Sequence, residues 1–217
     1  MPAEKPNHIV LFGATGMIGS RILKELLARG HAVTVVVRDA SKWQTQPNVS
    51  VAVGDIFHPG DVSQATVGAD VVISAYGPGI DAEAAPRLLG AINTLMAGLR
   101  ESGARRLIVV GGAGSLYLKP GLQLVDAPDF PDQWKAIALA HRDALDTIRK
   151  SDLDWTYISP AAEIAPGERT AKFRVGGDQL LTDAEGHSRI SAEDFAIAVV
   201  DEVEDPKHIR QRFTAAY

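Results

Sequence analysis

His8-Ile-Val-Leu-Phe-Gly13-Ala-Thr-Gly16-Met-Ile-Gly19 decides how the rest of the chain is read: an apolar run of strand length, a turn with glycine at every third position, and the start of a helical pattern. Strand, glycine turn and helix follow one another in the order that a dinucleotide site requires. Gly13 permits the tight turn, Gly16 lets a pyrophosphate approach the backbone, and Gly19 lets the helix pack close to the strand. Free N–H groups at the helix start, together with the helix dipole, favour the phosphates. The helical pattern runs on through Ile18, Ile22, Leu26 and Leu27 and stops at Arg29-Gly30.

Outward from this unit, short β-branched runs recur at His8 to Phe12, Ala32 to Arg38, Val49 to Val53, Val71 to Ala75, Leu107 to Val110 and Trp155 to Ser159. Most are continuously apolar rather than alternating, the mark of strands buried on both faces. Helical spacing lies between them, as in Leu88, Leu89, Ile92, Leu95, Met96 and Leu99 before Gly103. Alternation of this kind predicts an α/β fold: a doubly wound, Rossmann-type parallel sheet with helices on both faces. From Ala161 to His187 no long period persists, which predicts loops and a small strand pair over the carboxyl edge of the sheet. Ser191-Ala-Glu-Asp194 then reads as a capped helix start stopped by Asp205-Pro206, and Arg212 to Ala216 as a final edge strand. The 217 residues are expected to form one domain, residues 1–217, in which residues 161–217 contribute a small substrate lobe.

Composition narrows the function. A net charge of −5 leaves no basic surplus for nucleic acid or an anionic membrane, so neither is expected as a partner. With no cysteine there is no thiolate nucleophile and no Cys-ligated metal, and the histidines show no metal-ligand spacing. The first eight residues carry Glu4, Lys5 and two prolines and fit no signal peptide, and no apolar stretch approaches the length of a membrane span. A cytoplasmic location is the expectation, with a homodimer left open as the assembly.

The glycine spacing is Gly-x-x-Gly-x-x-Gly, and with the residues around it the chain resembles the atypical and extended short-chain dehydrogenase/reductase superfamily. More narrowly it is similar to the small NAD(P)H-binding, NmrA-like branch that includes biliverdin reductase B and NADH-flavin reductases. The resemblance is carried by Gly13-Ala-Thr-Gly16-Met-Ile-Gly19, Val37-Arg38, Gly54-Asp55, Val109-Val-Gly-Gly-Ala-Gly-Ser115, Asp154-Trp-Thr-Tyr-Ile-Ser-Pro160 and Ile190-Ser-Ala-Glu-Asp194. It implies a nicotinamide cofactor held by Gly13, Ala14, Thr15, Gly16, Met17 and Ile18, by Asp55 and Ile56 at the adenine, by Ser74, Ala75 and Tyr76 under the nicotinamide-side ribose, and by Gly111 and Pro160 near the nicotinamide. The end of the second strand decides which nicotinamide. A carboxylate there would bond the ribose 2′-hydroxyl, whereas an arginine would pair with a 2′-phosphate. Arg38 stands at that point and Asp39 follows, so NADP(H) is expected over NAD(H), with Asp39 facing the ribose as the other reading.

For catalysis the resemblance places Ser115 beside the nicotinamide, and a serine following these glycines is equally a turn former. Tyr117 offers a phenol as a second candidate, and His141 a third, although its stripe with Ile137, Ala144, Leu145 and Ile148 also reads as a packed histidine. The superfamily's Tyr-x-x-x-Lys pair is missing: none of Tyr76, Tyr117, Tyr157 and Tyr217 has lysine four residues later, and Trp134 and Ala138 fall in the two slots. Hydride transfer to a planar flavin or quinone needs less proton assistance than carbonyl reduction. The expectation is therefore an NADPH-dependent reductase of such acceptors, the alternative an NADP-binding redox-sensing regulator without turnover. A nucleotide-sugar epimerase or dehydratase comes third.

Overall fold

The computed structural model describes residues 8–217, apart from the side chain of Lys42. Residues 1–7, on which the reading of the N-terminus rests, lie outside the described residues. In chain order the elements are β1 (Ile9–Phe12), α1 (Met17–Ala28), β2 (Val33–Val37), β3 (Val49–Val53), α2 (Pro59–Thr66), β4 (Val71–Ser74), α3 (Ala84–Ser102), β5 (Arg106–Val110), β6 (Tyr117–Lys119), β7 (Leu122–Gln123), α4 (Asp132–Arg149), β8 (Asp154–Ser159), β9 (Glu163–Ala165), β10 (Arg174–Gly176), β11 (Arg189–Ser191), α5 (Ala192–Glu204) and β12 (Gln211–Ala216).

The strands assemble into an eight-stranded sheet of order β3-β2-β1-β4-β5-β8-β12-β10, parallel throughout except for β10. Both faces are covered, as the unbroken apolar runs require. Leu11, Ile73 and Ile158 point to one side and pack with Ile22 and Leu26 of α1 and Phe195 and Val199 of α5. Their neighbours Val10, Val72 and Tyr157 point to the other, against Val62 of α2, Leu95 of α3 and Leu145 of α4. The strand order reverses at β1, flanked by β2 on one side and β4 on the other, which opens a crevice beyond their carboxyl ends.

The C-terminal third differs from its reading in the sequence. β12 is an inner strand, paired with β8 along Gln211–Thr214 and with β10 through Thr214–Ala216, so the sheet's edge there is β10. Phe213 and Ala215 are buried, and an antiparallel partner of only three residues is enough to shield the strand. The small strand pair is β9 with β11, parallel, and β11 lies beyond His187. α5 begins as expected: the Ser191 Oγ accepts from the Asp194 N–H at 3.0 Å. It is buried around most of its circumference, because α1 covers one side and the loop at residues 167–171 another. That loop is pinned by carboxylates. Asp194, fully buried, accepts from the Thr170 and Ala171 N–H groups at 2.8 Å each, from Thr170 Oγ1 and from Tyr217 Oη. Arg169 donates twice to Glu25 of α1, both at 2.8 Å.

Candidate functional site

At the reversal point lies a groove of about 650 Å³ lined by the β1–α1 turn, the ends of β2, β3 and β4, and the first turn of α3. Its floor is built by steric exclusion. Gly13 has φ +81°, and a Cβ there would stand 2.5 Å from the Ala75 carbonyl oxygen. A Cβ on Gly19 would come within 2.0 Å of the Gly13 carbonyl oxygen. Both glycines are demanded by the protein's own backbone. Gly16 is not: a Cβ there would meet only the Gly13 carbonyl at 3.4 Å, an ordinary contact. Its freedom is toward the groove, the side from which a ligand's phosphates would approach.

The donors around the groove fit such a ligand. α1 starts at Gly16 with no side-chain cap and no acidic residue in its first turn, so its leading N–H groups keep their polarity for an anion. α5, by contrast, spends its own on Ser191 and carries Glu193 and Asp194 there. At the end of β2, Arg38 is exposed and its guanidinium makes no hydrogen bond or ion pair among the described residues. Asp39 is turned into its own chain, where Oδ1 accepts from the Ser41 N–H at 3.0 Å and the Ser41 hydroxyl at 2.6 Å. Beside them Trp43 lines the groove, and its buried indole N–H has no partner among the described residues. An unpaired cation and an orphaned donor at one end of a groove suit a phosphate.

The opposite wall is formed by Asp55, Phe57, Tyr76 and Arg87. Asp55 closes a turn by accepting from the Phe57 N–H at 3.0 Å while its backbone N–H is held by Asp61 at 2.9 Å. Tyr76 stands edge-on to Phe57 with ring centres 5.8 Å apart. Burial raises the Tyr76 phenol's pKa, against the opposing pull of Arg87 and Arg38. Arg87, which sequence reasoning missed, belongs to this wall. It reaches back from α3 to the Pro78 carbonyl at 3.0 Å and to Asp81 at 2.7 Å. Its signal was only a lone arginine inside a helical pattern, indistinguishable from a solvated one.

The groove thus gathers Gly13, Thr15, Gly16, Arg38, Asp55, Ile56, Ala75 and Tyr76. Ala14 and Ser74 lie behind it in the core, Met17 is 40% exposed at the start of α1, and Ile18 is half-buried on the same helix. Gly111, Ser115, Tyr117, His141 and Pro160 do not line it. Pro160 is buried at the end of β8. Ser115 is 2% exposed and its hydroxyl accepts from Arg212 at 2.9 Å, while Arg212 also holds Asp178. Tyr117 is half-buried, with its backbone tied to residues 178–180 at 2.8 Å and 2.9 Å.

Gly111 is explained by packing. A Cβ there would lie 1.9 Å from the Tyr157 ring, and one on Gly112 would lie 3.0 Å from the His141 ring. Tyr157 and His141 are themselves joined, Tyr157 Oη donating to the His141 carbonyl at 2.9 Å and lying 3.0 Å from His141 Nδ1. Burial pushes the His141 imidazole down to about 4 and raises the Tyr157 phenol's pKa. Both groups are therefore neutral at pH 7.

The arrangement has close relatives. The family model described as NAD(P)H-binding matches residues 13–206. A candidate exported protein from Burkholderia pseudomallei is 51% identical with a TM-score of 0.89, over 97% of this chain and 99% of that one. A candidate epimerase from Bacteroides thetaiotaomicron is 38% identical, TM-score 0.90, over 98% of each chain. A candidate NADH-flavin reductase from Streptococcus pneumoniae is 36% identical, TM-score 0.84, over 96% of this chain and 98% of that one. No helix of the described residues is long and apolar enough to cross a membrane.

Proposed function

Since the chain belongs to the NAD(P)H-binding family, we propose that it is an NADPH-dependent oxidoreductase that delivers hydride to a planar acceptor of the flavin or quinone class. The preference for the 2′-phosphate rests on one observation. Arg38 is free to pair with it, while Asp39, whose carboxylate would repel it, is spent on capping its own turn. With FMN the overall reaction is FMN + NADPH + H⁺ → FMNH₂ + NADP⁺, the cofactor supplying the hydride and water the proton. The protein's share is orientation: the α1 N-terminus and Gly16 would seat the pyrophosphate, Arg38 and Trp43 the 2′-phosphate, Asp55 and Ile56 the adenine, and Tyr76 the nicotinamide-side ribose. Residues 161–187 would cover the acceptor.

The flavin reading agrees with the Streptococcus pneumoniae relative. The epimerase reading suggested by the Bacteroides relative asks for proton exchange with a sugar hydroxyl, and this chain carries no Tyr-x-x-x-Lys pair. The sensing reading draws on Ser115, whose hydroxyl is already engaged by Arg212. Titration with NADPH and NADH, followed by oxidation assays with FMN and small quinones, separates these. We expect Arg38→Ala to weaken NADPH binding by about ten- to a hundredfold, or ~1.4–2.8 kcal/mol, and to leave NADH unchanged. Tight binding without turnover on any acceptor would transfer the assignment to a sensor, and equal losses for both nucleotides would remove Arg38 from the 2′-phosphate.

A further inference from the structure

The Tyr157–His141 pair fixes more than a turn. A carbonyl oxygen only accepts, so the contact between Tyr157 Oη and the His141 carbonyl at 2.9 Å consumes the phenol's single proton. The second contact of the same oxygen, 3.0 Å from His141 Nδ1, then requires the ring to donate. His141 is therefore held as the Nδ1–H tautomer, and Nε2 carries a lone pair. Tyr157 is fully buried, so water cannot take over either bond. Nε2 makes no hydrogen bond among the described residues, and the residue is only half-buried. An imidazole lone pair is thus left open on α4, with the ring against Gly112 at the carboxyl end of β5.

We propose that His141 Nε2 accepts a hydrogen bond from an N–H of the electron acceptor, specifically the imide N–H of a flavin's isoalloxazine ring, with Tyr157 as the residue that positions it. This rests on the reductase reading above and assigns His141 the part of a hydrogen-bond acceptor in place of a proton donor. It also favours flavin over quinone, since an oxidised quinone has no N–H or O–H to offer.

The tautomer is measured on the wild-type protein labelled with ¹⁵N-histidine, where an unprotonated ring nitrogen resonates far downfield of an N–H nitrogen. At neutral pH we expect Nδ1–H and bare Nε2 for His141, and the Nε2 signal to move upfield when FMN is added to the NADP⁺ complex. Tyr157→Phe should release the tautomer, an effect that a merely space-filling tyrosine would not produce. Lumiflavin and 3-methyllumiflavin, which differ only in the imide proton, supply the kinetic test. Methylation should raise KM about tenfold in the wild type and less than twofold in His141→Phe, with NADPH affinity the same in both proteins. An Nε2–H ring, an imidazolium at neutral pH, or equal KM for the two flavins in the wild type would each overturn the proposal. Failure of the wild type to oxidise NADPH with any flavin would instead overturn the reductase reading, and the spectrum would still report the tautomer.

Discussion

Gly13, Gly16 and Gly19 look alike in the sequence and answer to different demands, and substitution separates them. In Gly19→Ala the new methyl would lie 2.0 Å from a backbone oxygen that cannot move aside, so a loss of about 3 kcal/mol in unfolding free energy is expected from overpacking. Gly16→Ala meets no such obstacle and should cost less than about 1 kcal/mol, the difference between glycine and alanine at a helix cap. Its effect should fall on NADPH, with the dissociation constant raised about tenfold or more. Denaturant titration and nucleotide titration on the two variants check the contrast, and a Gly16→Ala protein that binds NADPH normally would show that no phosphate approaches that residue. The same scale marks what sequence alone resolves. The glycine spacing announced the turn. The preference for Arg38 over Asp39 was legible from their order, but the local cap through Ser41 that engages Asp39 leaves no periodic trace.

At the scale of elements, the ends of α1 and α5 divide the work. α5 is capped for stability: Ser191 Oγ accepts from Asp194 N–H and donates to the Glu168 carbonyl at 2.7 Å. Ser191→Ala should cost about 1–2 kcal/mol, read as a shift in the denaturation midpoint. In the last turn of α1, Glu25 is held by Arg169 and Arg29, and Arg169 foremost lowers its pKa below the usual carboxylate value. The stabilisation this supplies is present above the unfolded-state pKa of about 4.3 and is lost as pH falls through the lower folded value. Thermal stability should therefore fall off in acid less steeply for Glu25→Gln than for the wild type, as melting curves between about pH 3 and pH 7 would report. Buried parallel strands and long helices were legible because their apolar runs and stripes are local patterns. β10 was not, since a three-residue strand owes its existence to β12 far along the chain, and the β6–β7 hairpin was not, since strands of three and two residues are too short to show an alternation.

For the whole molecule, the last quarter of the chain is structural. Residues 161–217 supply β12, which pairs with β8, and α5, which closes the core over α1. They also supply Glu202, whose buried carboxylate accepts from Arg106 at 2.9 Å and from Thr156 at 3.1 Å. A chain ending at residue 160 would leave Arg106 without that partner and the Phe195 side of the sheet open to water. We expect it to lack a cooperative unfolding transition and to bind a hydrophobic dye, while retaining the complete glycine motif. A cooperative transition in the shortened protein would show that residues 1–160 fold alone.

The position of β12 also bears on synthesis. On the ribosome the chain emerges from its N-terminus, so β1 to β8 can form in order, each laid beside a neighbour already made. β8 then waits with one edge unpaired until β12 is released, and its apolar strand offers that edge to any other nascent copy in reach. The interval between translating Ser159 and translating Ala216 is the period in which this protein is most exposed to aggregation, and the one in which a chaperone would matter most.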